Sequence, residues 1–129
     1  MDIICATLTE PLYDRRKAEL QYELNEGANG NYLRSLVFSF IKNRPANNEF
    51  NMAIEIIIRK QIAEAIEFTL HDALYNDFLD DTKRLYTHVE FYALSLAVIT
   101  LWRMGFVTFD GSEDELMNEC YKVYFSTGC

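Results

Sequence analysis

The stretch of sequence that decides the fold runs from residue 87 to residue 105 and reads THVEFYALSLAVITLWRMG. Its first four residues match a capping box, in which the hydroxyl of Thr87 accepts from the amide of Glu90 and the Glu90 carboxylate accepts from the amide of Thr87. The residues that follow are apolar on nearly every side of a helix, and Gly105 supplies the left-handed residue with which many helices end. We therefore predict a buried central helix over residues 88–104.

Amphipathic helices are predicted on both sides of this segment, because apolar residues recur there every three or four positions. The first helix is predicted over about residues 10–26 with Thr9 as its N-cap, and the second begins at Asn31 and ends at Arg44-Pro45. A long third helix runs from about Asn47 to a break near Tyr75, and a short helical turn follows over 77–86. The last helix begins with a capping box of Ser112 and Glu115. Two stretches rich in β-forming residues, 3–8 and 106–109, are predicted to pair as a minimal two-stranded ribbon. The predicted fold is a mostly α bundle of about five helices around the central helix.

Length and composition favour one domain in a reducing compartment. The chain has 129 residues, half of them hydrophobic, which is enough to bury a single core across residues 1–129. Its cysteines, Cys5, Cys120 and Cys129, are odd in number and show no CxxC spacing, so neither a disulfide framework nor a zinc site is expected. No signal-peptide pattern and no uncharged apolar run of membrane-spanning length occurs. We expect a cytoplasmic protein that does not bind a membrane.

Sequence motifs for catalysis are absent. The chain contains no GxGxxG, GxxxxGK[ST], GxSxG or HExxH pattern, so we expect no enzyme activity, no cofactor and no metal. One alternative stays open: Glu64, Glu67 and His71 follow one another at about one helical turn, with Asp72 beside them, and could share a face of the third helix. That pattern would suit a helical metal-dependent enzyme or a small-ligand domain.

Negative charge is concentrated in two segments. Residues 64–81 hold six acids without a lysine or arginine, and residues 110–119 hold five more, within a net charge of −8. The rest of the chain has 12 bases against 9 acids, and its basic residues form no stripe along one helix. Direct binding to nucleic acid or to anionic lipid is therefore disfavoured. A basic protein partner is expected instead, because such a surface accelerates association with one.

The predicted partner-binding residues combine acids with tyrosines, since aromatic side chains are enriched in protein interfaces. They are Asp72, Tyr75, Asp77, Asp80, Asp81, Tyr86, Asp110, Glu113, Asp114 and Glu115. The sequence does not indicate an oligomeric state.

Proteins whose active surface is basic, nucleases above all, are the partners that a small acidic domain is best suited to block. In size, charge and expected compartment the chain resembles the immunity proteins that neutralise toxin nucleases in bacterial competition systems; the resemblance is one of type and rests on no motif. The leading hypothesis is a small inhibitor of this kind, which occludes the active surface of a basic toxin. A phage or viral accessory protein, or a nucleic-acid mimic, would act through the same acidic face and is the alternative.

Overall fold

The structure of the protein, a computed structural model, describes residues 2–42 and 45–126. Within them lie five α-helices and no strand: α1 (Asp2–Asn25), α2 (Ala28–Ser39), α3 (Asn48–Asn76), α4 (Thr82–Arg103) and α5 (Glu113–Ser126). The helix α4 packs against α2, α3 and α5, while α1 packs against α2 and α3. The predicted mostly α bundle is confirmed.

The centre of the bundle is α4, as predicted. Its apolar residues contact the core on several sides, and its buried members include Leu85, Val89, Leu94, Val98 and Leu101. The neighbouring α3 presents a row of buried residues spaced by four, which is the spacing of one helix face. That row consists of Ile54, Ile58, Ile62, Ile66 and Leu70. The two helices run antiparallel and are joined by the turn at residues 77–81.

The predicted start of the central helix is wrong by about one and a half turns. Its N-cap is Asp81, whose Oδ1 accepts from the amide of Arg84 at 3.2 Å. Thr87 and Glu90 lie inside the helix and do not form the predicted capping box. The earlier start is favoured by the core, because the turns it adds bury Leu85 and bring Val89 into the helix interior.

The predicted β ribbon is also wrong. Residues 3–8 belong to α1, and residues 106–109 contain no strand. After Gly105, with a φ of +90°, the amides of Phe106 and Val107 donate to the Leu101 carbonyl at 2.8 and 3.4 Å. These hydrogen bonds close the end of α4, so the amides of Phe106 and Val107 are satisfied without a partner strand.

The first two helices begin earlier than predicted. The helix α1 starts at Asp2 and includes Pro11, and α2 starts at Ala28 with Gly27 as its N-cap. A Cβ on Gly30 would collide with the Leu24 carbonyl, so glycine permits the close approach of the two helices. The guanidinium of Arg34 donates to that same carbonyl at 2.7 Å and so links α2 to the end of α1.

Two predicted helix starts are confirmed in atomic detail. The side chain of Asn47 accepts from the amide of Phe50 at 2.7 Å and caps α3. At α5 the capping box is reciprocal: the Ser112 amide donates to Glu115 Oε1 at 2.9 Å, and the Glu115 amide donates to Ser112 Oγ at 3.2 Å. Local sequence therefore sets these two boundaries.

By length and composition, α4 is the one helix in the described ranges that could cross a membrane. In its most apolar window, 56% of the residues are buried inside the bundle. Core helices of globular domains have the same properties, so the length and composition of α4 are not by themselves evidence that it crosses a membrane.

Truncating a leucine on α4 tests its central position. Leu94→Ala removes a fully buried side chain and is expected to lower the free energy of unfolding by about 2–5 kcal/mol, because a cavity remains. Leu74→Ala makes the same chemical change at an exposed position of α3 and should cost about 1 kcal/mol or less. Urea denaturation followed by circular dichroism measures both values, and equal losses would contradict the assigned core.

Candidate functional site

A groove with aromatic walls opens where α3, α4 and α5 meet, and its volume is about 240 Å³. We refer to it as the aromatic groove; it is lined by Phe68, Thr69, Asp72, Thr87, His88, Phe91, Tyr92, Tyr121 and Phe125. A larger depression of about 490 Å³ lies beside the start of α3, but Phe38 is the one aromatic side chain among its lining residues. The aromatic groove is therefore the stronger candidate site.

Each of the three helices contributes a pair of side chains, spaced by four residues, to the walls. Residues four apart lie on the same face of a helix, one turn above each other. The pairs are Phe68 and Asp72 on α3, His88 and Tyr92 on α4, and Tyr121 and Phe125 on α5. Packing of these helices against one another turns three separate helix faces into one site.

The rings pack on one another while remaining open to solvent. Phe68 and Tyr92 are stacked with centroids 4.7 Å apart, and Phe91 meets Tyr121 edge to face at 5.8 Å. Even so, 54% of Phe68 and 53% of Tyr121 are exposed, and Phe125 is exposed as well. A contiguous cluster of exposed rings is typical of a binding surface, because single apolar residues on a surface are common but clusters are not.

One carboxylate, that of Asp72, stands on the walls of the groove. Its Oδ1 accepts from Asn76 Nδ2 at 2.7 Å. Beside the groove, Phe78 lies 5.5 Å from the ring of His88, and the Arg84 guanidinium lies 3.9 Å from the centroid of the Phe78 ring. The surface next to the groove thus already stacks an arginine on an aromatic ring.

The α5 wall of the groove is held by a buried polar contact. The Tyr124 hydroxyl donates to Glu90 Oε1 at 2.8 Å, and Glu90 is only 8% exposed. Burial raises the pKa of Glu90, and the nearby charge of Glu23 raises it further. Burial also raises the pKa of Tyr124. This contact fixes the rotation of α5 that turns Tyr121 toward the groove.

The described cysteine is part of the core. Cys120 is fully buried and forms no disulfide. Burial raises the pKa of its thiol to about 12, so the reactive thiolate is suppressed at neutral pH. The side chains of Cys5 and Cys129 lie outside the described part of the structure.

The ten predicted partner-binding residues fall into two groups at opposite ends of α4. The first group surrounds the turn between α3 and α4 and contains Asp72, Tyr75, Asp77, Asp80, Asp81 and Tyr86. The second group, Asp110, Glu113, Asp114 and Glu115, lies at the start of α5, where Glu113 pairs with Arg103 at 2.9 Å. The 22 residues of α4 span about 33 Å at 1.5 Å per residue, so the α3–α4 turn and the start of α5 lie far apart. The two acidic segments are therefore separate patches.

In the first group, Asp72 lines the aromatic groove and Tyr75 is 90% exposed on the last turn of α3. Asp77 is the left-handed C-cap of that helix, with a φ of 58°. Asp80 is exposed, whereas the carboxylate of Asp81 is occupied in capping α4.

Tyr86 is partly buried and packs against the core. Its hydroxyl donates to the Glu19 carbonyl on α1 at 3.5 Å. The tyrosine therefore contributes to packing between α1 and α4. Of the two tyrosines in the first group, Tyr86 is the one that packs against the core, whereas Tyr75 is exposed.

In the second group, two of the four carboxylates have structural roles. Glu113 forms the ion pair with Arg103, and Glu115 closes the capping box of α5. Hydrogen bonds from Ser112 hold the pKa of Glu115 below its ordinary value. Asp110 and Asp114 are exposed.

Sequence reasoning missed most of the groove, including all five of its phenylalanines and tyrosines. The available signal was the spacing of four between aromatic or polar groove residues on each helix. That spacing equally describes a core face, so it distinguishes surface from interior only when the partner helices are placed.

The alternative metal site is not assembled. In the described ranges, no group of three or more His, Cys, Asp and Glu side chains is placed to hold a metal ion. Glu67 Oε1 lies 2.7 Å from Lys17 Nζ, and this hydrogen bond holds the pKa of Glu67 below its ordinary value. His71 is 3.7 Å from the other oxygen of Glu67, and Glu64 is exposed. Glu67 is thus engaged in a surface ion pair with Lys17.

No model of a known protein family, no curated protein and no solved structure matches the chain. The groove and the charges around it are therefore the basis for assigning a function.

Neutralising Glu90 tests the buried contact behind the groove. Because burial raises its pKa above the unfolded value, the folded state keeps the proton longer, and stability is lost as pH rises through the folded pKa. Glu90→Gln retains an oxygen acceptor for Tyr124 without the charge, so its melting temperature should exceed that of the wild type at pH 8. The difference should shrink as pH falls to about 3, below the unfolded pKa of about 4.3, where Glu90 is protonated in both states.

The control is Glu64→Gln, the same change at an exposed position, which should move the melting temperature little at either pH. Thermal unfolding followed by circular dichroism gives the comparison. A Glu90→Gln variant that is less stable than the wild type at pH 8 but not at the lower pH would contradict the raised pKa of Glu90.

Proposed function

We propose that the protein is a small inhibitor that binds another protein, and specifically an immunity protein that neutralises a basic toxin of the nuclease type by covering its active surface. One observation carries the proposal: the exposed rings of the aromatic groove lie at the same end of the molecule as the carboxylates of the α3–α4 turn. Apolar contact and charge complementarity are thus available to a partner on one surface.

The rings supply the binding energy in this proposal. Most of the affinity in a protein interface comes from a few residues, and large aromatic side chains in the centre are prominent among them. Phe68 and Tyr121 are half-exposed on opposite walls of the groove, so a partner would remove both from water. Tyr75 stands fully outward nearby and can extend the contact.

The carboxylates supply attraction and selectivity. Residues 72–86 hold four acids, Asp72, Asp77, Asp80 and Asp81, against the two cations Lys83 and Arg84, a net charge of −2. In the portion of the chain that is described, no ion pair is formed by Asp77 or Asp80. A nuclease surface that binds phosphate is basic, so these carboxylates can occupy positions otherwise taken by phosphate groups.

The acids at the start of α5 have a different role in the proposal. A standard interface covers roughly 800 Å² of each partner. Because α4 is about 33 Å long, an interface centred on the groove would reach these acids only at its edge or not at all. Asp110, Glu113, Asp114 and Glu115 then act mainly through the long-range field. Direct contact between them and a partner stays a prediction.

Removing charge at the turn tests the electrostatic part. The double variant Asp77→Asn with Asp80→Asn keeps side-chain size, and asparagine is well tolerated at the positive φ of Asp77. We expect the association rate with the basic partner to fall about tenfold at low ionic strength, and the difference to vanish near 0.5 M salt. The control is Asp110→Asn with Asp114→Asn, which removes the same charge at the far end and should have a smaller effect.

The partner for this measurement is a toxin encoded beside the gene of this protein, or a basic protein that the full chain captures from its own cells. Co-expression should protect cells from that toxin, and stopped-flow or surface-plasmon measurements give the rate. Equal effects of the two double variants, or an association rate independent of salt, would contradict binding through the turn.

Truncating a ring tests the apolar part. Tyr121→Ala is expected to weaken the complex about 30-fold, the equivalent of about 2 kcal/mol, with most of the change in the dissociation rate. Tyr22→Ala makes the same substitution at an exposed site on α1 and should leave the dissociation constant nearly unchanged. Isothermal titration calorimetry distinguishes the two variants, and a partner that tolerates Tyr121→Ala would exclude the groove from the interface.

A further inference from the structure

We propose that the aromatic groove is a receptor for a single arginine side chain of the partner protein, an inference that rests on the proposed function and specifies its central contact. Size is the first reason. The groove holds about 240 Å³, less than the roughly 300 Å³ at which pockets for drug-sized ligands begin. A space of this size suits one long side chain and not a cofactor.

The walls of the groove match a guanidinium group. Phenylalanine and tyrosine rings attract a cation through their faces, and the flat guanidinium stacks on such faces. The rings of Phe68 and Tyr92 lie nearly parallel, at 7°, so Tyr92 covers one face of the Phe68 ring, and 54% of Phe68 is still exposed to solvent. No lysine or arginine lines the groove.

Asp72 supplies the counter-charge. It lies one helical turn from Phe68 on the same face of α3, and one of its oxygens is bonded to Asn76. The other oxygen can accept from a guanidinium, and the partly exposed Thr87 hydroxyl on the wall is a further acceptor for the five N–H donors of that group. An apolar side chain in the same place would cover the Asp72 carboxylate without replacing its hydrogen bonds to water, which is unfavourable.

The protein already shows this mode of contact beside the groove. The Arg84 guanidinium lies 3.9 Å from the centre of the Phe78 ring, and Phe78 contacts His88 on the groove wall. Asp77 and Asp80 next to it add negative potential. Arginine is favoured over lysine because its planar group can stack and donate several hydrogen bonds at once, whereas an ammonium is a compact and strongly hydrated charge.

The test is an NMR titration of the full chain with N-acetyl-arginine N-methylamide, compared with the citrulline analogue. Citrulline has nearly the same shape but carries no charge. We expect the arginine probe to shift the resonances of Phe68, Asp72 and Tyr92 with a dissociation constant in the millimolar range, and the citrulline probe to bind about tenfold more weakly. Asp72→Asn should weaken arginine binding by a similar factor, whereas the exposed-site control Asp14→Asn should not.

A second variant guards against a folding defect. Phe68→Leu keeps apolar bulk but removes the ring face, and it should also weaken the arginine probe relative to the wild type. Equal affinities for the two probes, an unchanged affinity in Asp72→Asn, or shifts confined to residues outside the groove would overturn the inference.

The proposed function is judged separately. Suppose that a basic partner binds in a manner that depends on Tyr121, Asp77 and Asp80, but the arginine probe does not bind in the groove. That result would support the inhibitor function and reject the arginine receptor. A chain that binds the probe but no basic protein would retain the receptor and reject the inhibitor.

Discussion

The packing of α3 against α4 is the interaction on which the rest of the structure depends. Every fourth residue of α3 from Ile54 to Leu70 is buried, and α4 is apolar on most of its circumference. A helix of that kind is stable only when other helices cover it. The remaining helices α1, α2 and α5 complete the cover, and the groove forms where α5 meets the α3–α4 pair. The candidate site is therefore a consequence of core packing, with three helices needed to form it.

The contact between Glu90 and Tyr124 shows that packing α5 against α4 has a desolvation cost. A carboxylate beside the core loses hydration, and one neutral hydrogen bond replaces only part of it. The raised pKa of Glu90 reports that loss. An apolar residue would fill the position more favourably, but it would not fix the rotation of α5 through a directed hydrogen bond. Residues that a protein keeps despite such a cost are frequently near a functional surface.

Net charge alone would be a poor guide to the binding surface here. Asp81 and Glu115 cap helices, while Glu55, Glu67 and Glu113 are paired with lysine or arginine. Such acids have local structural explanations, since side chains at helix starts satisfy free amides and favour the positive end of the dipole. Under the proposed function, the acids available for recognition are those left exposed near apolar surface. Asp77 and Asp80, beside the aromatic groove, meet that condition.

Local signals in the sequence determined the helix-forming segments and several of their ends. The sequence predicted the helix ends at Asn47, at the pair Ser112 and Glu115, and at Gly105. Each of these residues acts on backbone groups within four residues of itself. The apolar character of α4 likewise identified it as the centre. These interactions do not depend on the position of any other helix.

Tertiary structure decided the features that join distant parts of the chain. Thr87 and Glu90 form a plausible local cap, yet burial of Leu85 and Val89 favours a helix that starts at Thr82. The β-forming residues after Gly105 close a helix end in place of pairing as a strand. The groove could not be predicted, because aromatic residues spaced by four look the same on a core face and on a surface face. Only the packing of α3, α4 and α5 decides which rings are left in contact with water, since exposure is a property of the assembled bundle and not of any single helix.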